Sequence, residues 1–303
     1  MDRRYLAALV AATFLFGSTF PASKLVLTQV GPLWTAAMRF ACATLSLLPL
    51  VCWQRRRAPL AGRLPLGRLA LIGALQTAGS MGFLNLGLRH TAAPRAAILM
   101  ACTPLLVALL SRLWLKTPIR PLAWTGLGLA LCGVVLCVSP GGLAAPQAGD
   151  LLVLGGALCW AVATLVIKRM PVVLDIWRLS FWQMLFGSLL LAGLARWQGE
   201  PMHWPHAAAL AAFVWLALPA TTGAMALWFL ALQWGGAVRT SGFLFLSPLF
   251  ATLLSWWLFG RPLSWPEAAG GVLVGAGLYA LARGAEAPAE ITFVSRCAHV
   301  ACD

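Results

Sequence analysis

Aromatic, hydroxyl and amide side chains recur at helical spacing inside strongly apolar runs of this chain. They are Phe16, Thr19 and Phe20, then Gln76, Ser80 and Phe83, then Trp160 and Thr164, then Gln183, and finally Thr222, Met225 and Trp228. Residues three or four apart share one face of a helix. Together these side chains can stack on a small, partly apolar solute, enclose it and hydrogen-bond it. Helix packing is the second reading of each, since Ser, Thr and Gln also bond between membrane helices. Gln76 and Gln183 favour the lining reading, because an amide is costly to bury unpaired.

The acids narrow the chemistry further. All eight, Asp2, Asp150, Asp175, Glu200, Glu267, Glu286, Glu290 and Asp303, fall at the ends of apolar runs, in connections or in the tail. A proton-driven pump of lipophilic cations needs a carboxylate at membrane depth, so that mechanism is disfavoured. His90, His203 and His206 have no acidic cluster beside them, and no phosphate-binding glycine loop is present. Neither a metal nor a cofactor is expected. Cys297, His299 and Cys302 lie close together near the C-terminus without further ligands, and no metal site is expected there.

Arg39 lies about six residues inside the 33–53 apolar run, and two readings stand. It snorkels to the nearer interface, or it faces a vestibule and meets a carboxylate or a helix end. Pro104 and Pro248 each interrupt an apolar run and are expected to act as hinges. Arg95 and Arg239 precede them at equal distances and are expected to anchor or close a gate.

Composition explains what must position these groups. The chain is 61% hydrophobic and 10% charged, far from the roughly one-quarter charge of a soluble domain. Ten apolar stretches fill it, near 5–27, 33–53, 66–88, 93–115, 121–139, 149–169, 177–197, 208–232, 238–259 and 264–283. They are long enough to cross a bilayer as helices and lack the alternation of a barrel strand. The N-terminal run is expected to remain in the mature chain rather than leave as a signal peptide. Cys42, Cys52, Cys102, Cys132, Cys137 and Cys159 lie within these stretches and read as small apolar residues.

The chain also repeats itself. Shifted by 144 positions, residues 69–138 lie on 213–282 without a gap, pairing Thr77 with Thr221, Gly79 with Gly223, Met81 with Met225, Arg95 with Arg239 and Pro104 with Pro248. The same shift pairs Phe16 with Trp160. Residues 1–145 and 146–285 are read as two five-helix repeats, and 286–303 as a disordered cytoplasmic tail. An odd number of helices per repeat inverts the second copy, and a site between the copies is the expected arrangement. The fold class is thus all-α integral membrane, with ten helices around a central cavity. With the N-terminus inside, 16 of the 22 basic residues fall on the cytoplasmic side and five outside, so both termini are expected there. The formal net charge of +14 then reflects topology and anionic membrane lipid, with no nucleic-acid partner.

The stretch Phe16-Gly17-Ser18-Thr19-Phe20-Pro21-Ala22-Ser23-Lys24, the Arg39-Phe40 pair and the paired runs ending at Pro118 and Pro262 resemble the EamA family of the drug/metabolite transporter superfamily. The second copy departs from the helix-1 pattern, reading Trp160-Ala161. The resemblance covers nearly the whole chain to about Arg283. It implies an inner-membrane exporter of amino acids or related neutral or zwitterionic metabolites, working by alternating access. Helices 5 and 10 would stand at the periphery. The partners are then a small-molecule substrate and membrane lipid; the oligomeric state is open. The alternative is an integral-membrane enzyme acting on lipid or isoprenoid, against which stands the lack of paired acids or clustered histidines at an interface.

Overall fold

The computed structural model describes residues 3–57, 64–87, 90, 96, 99–116, 118–138, 148–169, 175–259 and 265–284. All of its regular structure is helical. In chain order the helices are α1 (Arg3–Leu27), α2 (Pro32–Arg57), α3 (Leu66–Gly87), α4 (Thr103–Trp114), α5 (Pro121–Val138), α6 (Ala148–Arg169), α7 (Ile176–Trp197), α8 (Ala208–Ala217 continuing to Gly235), α9 (Ala237–Gly242 continuing to Phe259) and α10 (Trp265–Gly284). Five described helices are long and apolar enough to cross a membrane: α2, α3, α6, α7 and α8. Among the described residues, five of the ten expected spans thus appear as helices of membrane-crossing length. The 286–303 tail, Cys137's neighbours beyond 138 and Arg95 lie outside the described residues.

Two helices depart from α geometry at matching places. Gly73–Gly79 in α3 and Leu218–Gly223 in α8 wind as π-helix. Each carries one of the repeated threonines, Thr77 or Thr221, and π segments of this kind gather at functional sites. Breaks also precede both repeated prolines. A turn at Cys102 comes before Pro104, and a 3₁₀ turn at Phe243–Phe245 comes before Pro248. Pro104 therefore stands in the first turn of α4 rather than in the middle of a continuous helix, where its missing N–H is harmless. The Thr103 hydroxyl donates to the Met100 carbonyl at 2.6 Å.

The end of α7 shows how local sequence places a distant group. Gly199, at φ +66°, closes the helix with bonds from Gly199 N to Arg196 O and from Glu200 N to Ala195 O, both 3.0 Å. That turn projects Glu200 onto the start of α2, where its carboxylate accepts from Leu33 N (3.1 Å) and Trp34 N (3.2 Å). An acid there satisfies orphan N–H groups and meets the positive end of the helix dipole. Gly31 has no side chain to obstruct it; a Cβ at that position would overlap the Glu200 carboxylate.

The main apolar core runs between α1, α2, α3, α6, α7 and α8. A separate one joins α5 and α10 to the N-terminal part of α1. These two helices meet through glycine. A Cβ on Gly126 would lie 2.6 Å from Gly277 O, and one on Gly133 would lie 2.6 Å from Gly270 O. Gly126 and Gly270 are repeat mates, as are Gly133 and Gly277, so the contact is built twice from the same pair. Gly271 and Gly275, whose spacing also suggests close packing, face open space within the chain.

Candidate functional site

A cavity of about 380 Å³ lies between α1, α2, α3, α4, α6, α8 and α9. Its wall comprises Phe16, Thr19, Ser23 and Leu27 of α1, Arg39 and Phe40 of α2, and Met81, Leu84 and Asn85 of α3. Met100, Ala101, Thr103, Trp160, Ala220, Thr221, Met225, Leu244, Ser247 and Pro248 complete it. The volume is within the range of small-molecule sites, and the lining is mostly apolar with a few polar groups, the usual composition of such sites. It occupies the half of the bundle where α1 finishes and α2 begins. A second cavity at that end shares Leu27 and Asn85 and reaches Gln29, Gly31, Pro32, Pro201 and His203, marking a route toward that face.

Three aromatic rings form the floor. Phe16 and Trp160 meet edge to face at 5.7 Å between centroids, and Trp228 meets Trp160 at 6.0 Å and Phe16 at 6.1 Å. Such pairs add about 0.5–1.5 kcal/mol each beyond the burial of area. Trp228 lies wholly buried, and below it the bundle is closed. Polar side chains are packed away from the cavity: Gln76, Thr77, Ser80, Thr164 and Gln183 are each 0% exposed. Thr77 donates to Gln183 Oε1 at 2.7 Å, and Thr164 donates to the Trp160 carbonyl. Both polar atoms of Gln76, the Ser80 hydroxyl and Gln183 Nε2 have no hydrogen-bond partner among the described residues. Gly73 and Gly187 let α3 and α7 approach closely here; a Cβ on Gly73 would lie 2.6 Å from Gln183 O.

Arg39 is the cation of the described wall. Its Nε donates to the Thr221 hydroxyl at 2.5 Å and its Nη2 to the Ala220 carbonyl at 3.4 Å, while the guanidinium lies 5.3 Å from the centre of the Phe40 ring. The Thr221 hydroxyl in turn donates a hydrogen bond to Leu216 O, five residues back along the π segment. No described carboxylate joins the lining. A planar fork with donors left over suits a carboxylate, which it can bind through two parallel hydrogen bonds.

Of the residues expected from spacing, Phe16, Thr19, Arg39, Trp160 and Met225 stand on the wall, with Pro248 beside them. Gln76, Ser80, Thr164 and Gln183 are fully buried off the wall, and Trp228 is the buried third ring of the floor. Phe83 points away from the cavity, 40% exposed, with its ring near Gly155. Thr222 turns toward Ser46, sharing a hydroxyl contact of 3.2 Å off the cavity wall. The Phe20 side chain and Arg95 are outside the described residues. Pro104 is buried off the wall. Arg239 stacks over Tyr5, 5.4 Å from the ring centre, well away from the cavity. Spacing missed Asn85, whose amide donates to Pro32 O at 3.0 Å. The available signal was a second amide, nine residues after Gln76 in the same run.

The comparison with known families decides the class of this cavity. The model of the EamA-like transporter family matches twice, over residues 3–139 and again over 147–283. The chain belongs to the EamA-like transporter family. The two matches are themselves offset by 144 residues. Among curated relatives, an uncharacterized transporter of Archaeoglobus fulgidus is 28% identical over 282 residues, covering 89% of this chain and 95% of its own. The uncharacterized inner membrane transporter YedA of Escherichia coli K12 is also 28% identical, covering 81% and 76%. A crystal structure of a protein superposes with a TM-score of 0.78 at 20% identity. It covers 93% of this chain and 99% of its own, which shows the fold. This chain is a multi-pass membrane transporter.

Proposed function

We propose that the protein is a secondary carrier that exports small metabolites across the inner membrane, amino acids or related neutral and zwitterionic compounds foremost. Its halves, 1–145 and 146–285, act as inverted five-helix repeats of a ten-helix bundle, with both termini cytoplasmic. The observation that carries this reading is the cavity with an aromatic floor: open toward one face, closed toward the other, and floored by the repeat mates Phe16 and Trp160. A floor on the repeat axis is what two alternating cavities must share. The apolar wall takes a hydrocarbon or aromatic side chain. Arg39, Thr19, Ser23 and Asn85 take a polar backbone. Among the described residues that wall pairs no acid with a nucleophile, which favours carriage of an unchanged ligand.

The test is a thermal-shift screen of the purified protein against amino acids, their derivatives and other small metabolites, followed by counterflow in proteoliposomes. A ligand that binds the folded state raises its apparent stability by mass action. Stabilisation by a small metabolite, together with counterflow of the same compound, supports the reading. Flux that shows no counterflow points to a pore, and covalent conversion of the ligand points to an enzyme; either overturns it.

A further inference from the structure

Arg39 and Gln183 stand 144 positions apart, as do Thr221 and Thr77. The bond from Arg39 to Thr221 and the bond from Thr77 to Gln183 are therefore one contact built twice, α2 to the π segment of α8 and α7 to the π segment of α3. The copies differ in two respects. Arg39 is half-buried on the cavity wall, whereas Gln183 is fully buried in the closed half. One is a permanent cation and the other is neutral.

On the inverted-repeat reading proposed above, the halves exchange conformations when the carrier turns over, and each residue takes its mate's surroundings. Gln183 then moves onto the wall of the opposite cavity, where a neutral amide in water is unremarkable. Arg39 moves the other way, from the wall into full burial. The groups that would surround it are the mates of those now around Gln183. Thr221 replaces Thr77 and Ala217 replaces Gly73, and neither carries negative charge. A guanidinium enclosed without an anion is strongly unfavourable, while one paired with a carboxylate is far less so.

We infer that Arg39 makes the substrate a carboxylate-bearing metabolite and makes the carrier an exchanger. The carboxylate binds the donors of Arg39 not engaged by Thr221 and Ala220 and travels with it into the closed form. The empty carrier, left with a bare cation, stays open on the α1-finishing side. Transport is one carboxylate for another rather than free one-way flow, because a ligand shifts this equilibrium only through its preference for one of the two forms.

The test needs no knowledge of the natural ligand. In a cysteine-free, full-length background reconstituted in liposomes, Gln76→Cys reports on the closed half and Asn85→Cys on the open cavity, through the rate of maleimide labelling. Without solute, position 85 is expected to label readily and position 76 slowly. Arg39→Gln, which copies the neutral mate, is expected to speed labelling at position 76 by about tenfold or more, since it removes the buried charge. Arg39→Lys, which keeps the charge, is expected to leave it slow. A pool of L-amino acids and 2-oxo acids is expected to speed labelling at position 76 with Arg39 present, and a pool of the corresponding amides is not. Equal labelling at position 76 with Arg, Lys and Gln at position 39 overturns the inference, as does an equal response to acids and amides. Loss of labelling at both position 76 and position 85 in every background is a different failure, that of the alternating cavity itself.

Discussion

Trp160→Ala tests the aromatic floor most directly. Trp160 is 5% exposed and makes two edge-to-face contacts, with Phe16 at 5.7 Å and with Trp228 at 6.0 Å. Each such pair contributes about 0.5–1.5 kcal/mol to the floor itself, and a ligand resting on the Trp160 ring is expected to lose a further ~1–3 kcal/mol of burial and stacking. At a factor of ten for each 1.4 kcal/mol, affinity for a bound metabolite is expected to fall by about 5–150-fold. Truncating a buried ring also leaves a void, and the unliganded protein is expected to melt at a lower temperature. Trp160→Phe adopts the residue type of its mate and is expected to recover most of the affinity. The assay is ligand-dependent thermal shift, with counterflow on the same preparations. Phe83→Ala serves as the control, since that ring points away from the cavity, and is expected to leave binding within about twofold. If Trp160→Ala binds and transports like the parent protein, or if Phe83→Ala is equally damaging, the floor assignment is wrong.

Gly126→Ala places a methyl group 2.6 Å from the Gly277 carbonyl oxygen and is expected to lower stability by about 1–3 kcal/mol in thermal unfolding, whereas Gly271→Ala, facing open space, is expected to be neutral or slightly stabilising. Glu200→Ala removes the cap on α2 and is expected to cost about 0.5–2 kcal/mol by the same measurement, while Glu200→Gln retains part of it. Reporter fusions at both termini are expected to be active only on the cytoplasmic side; a periplasmic signal at either end refutes the charge-derived orientation.

The duplication was readable because glycine, proline and arginine rarely coincide by chance in a chain of this composition. It brought Phe16 and Trp160 together before any coordinates, since both members are aromatic. Arg39 and Gln183 passed unnoticed for the opposite reason: they share neither charge nor identity and lie outside the gap-free block 69–138 on 213–282. Which cavity is open has no signature in the chain at all. Two conformations of one sequence differ by only a few kcal/mol, and residue types do not record that balance.

The α3 face shows most sharply where periodicity stopped being a guide. Gln76, Ser80 and Phe83 share one face of an ideal α-helix, and that geometry put Phe83 beside the ligand. In the structure the cavity takes Met81, Leu84 and Asn85 from this helix instead. The π segment Gly73–Gly79 accounts for the change. A π turn holds one more residue than an α turn, so everything beyond it is advanced by one position, about 100° around the axis. Positions 80, 83 and 84 are replaced on the inner face by 81, 84 and 85, and Phe83 rotates to the outside. The same extra residue in α8 lets Thr221 reach back to Leu216 and presents its hydroxyl to Arg39. Deleting one residue within 73–79 would therefore restore an ordinary α turn and leave Met81, Leu84 and Asn85 on the inner face with Phe83 outside, because the deletion cancels the extra residue that had shifted them.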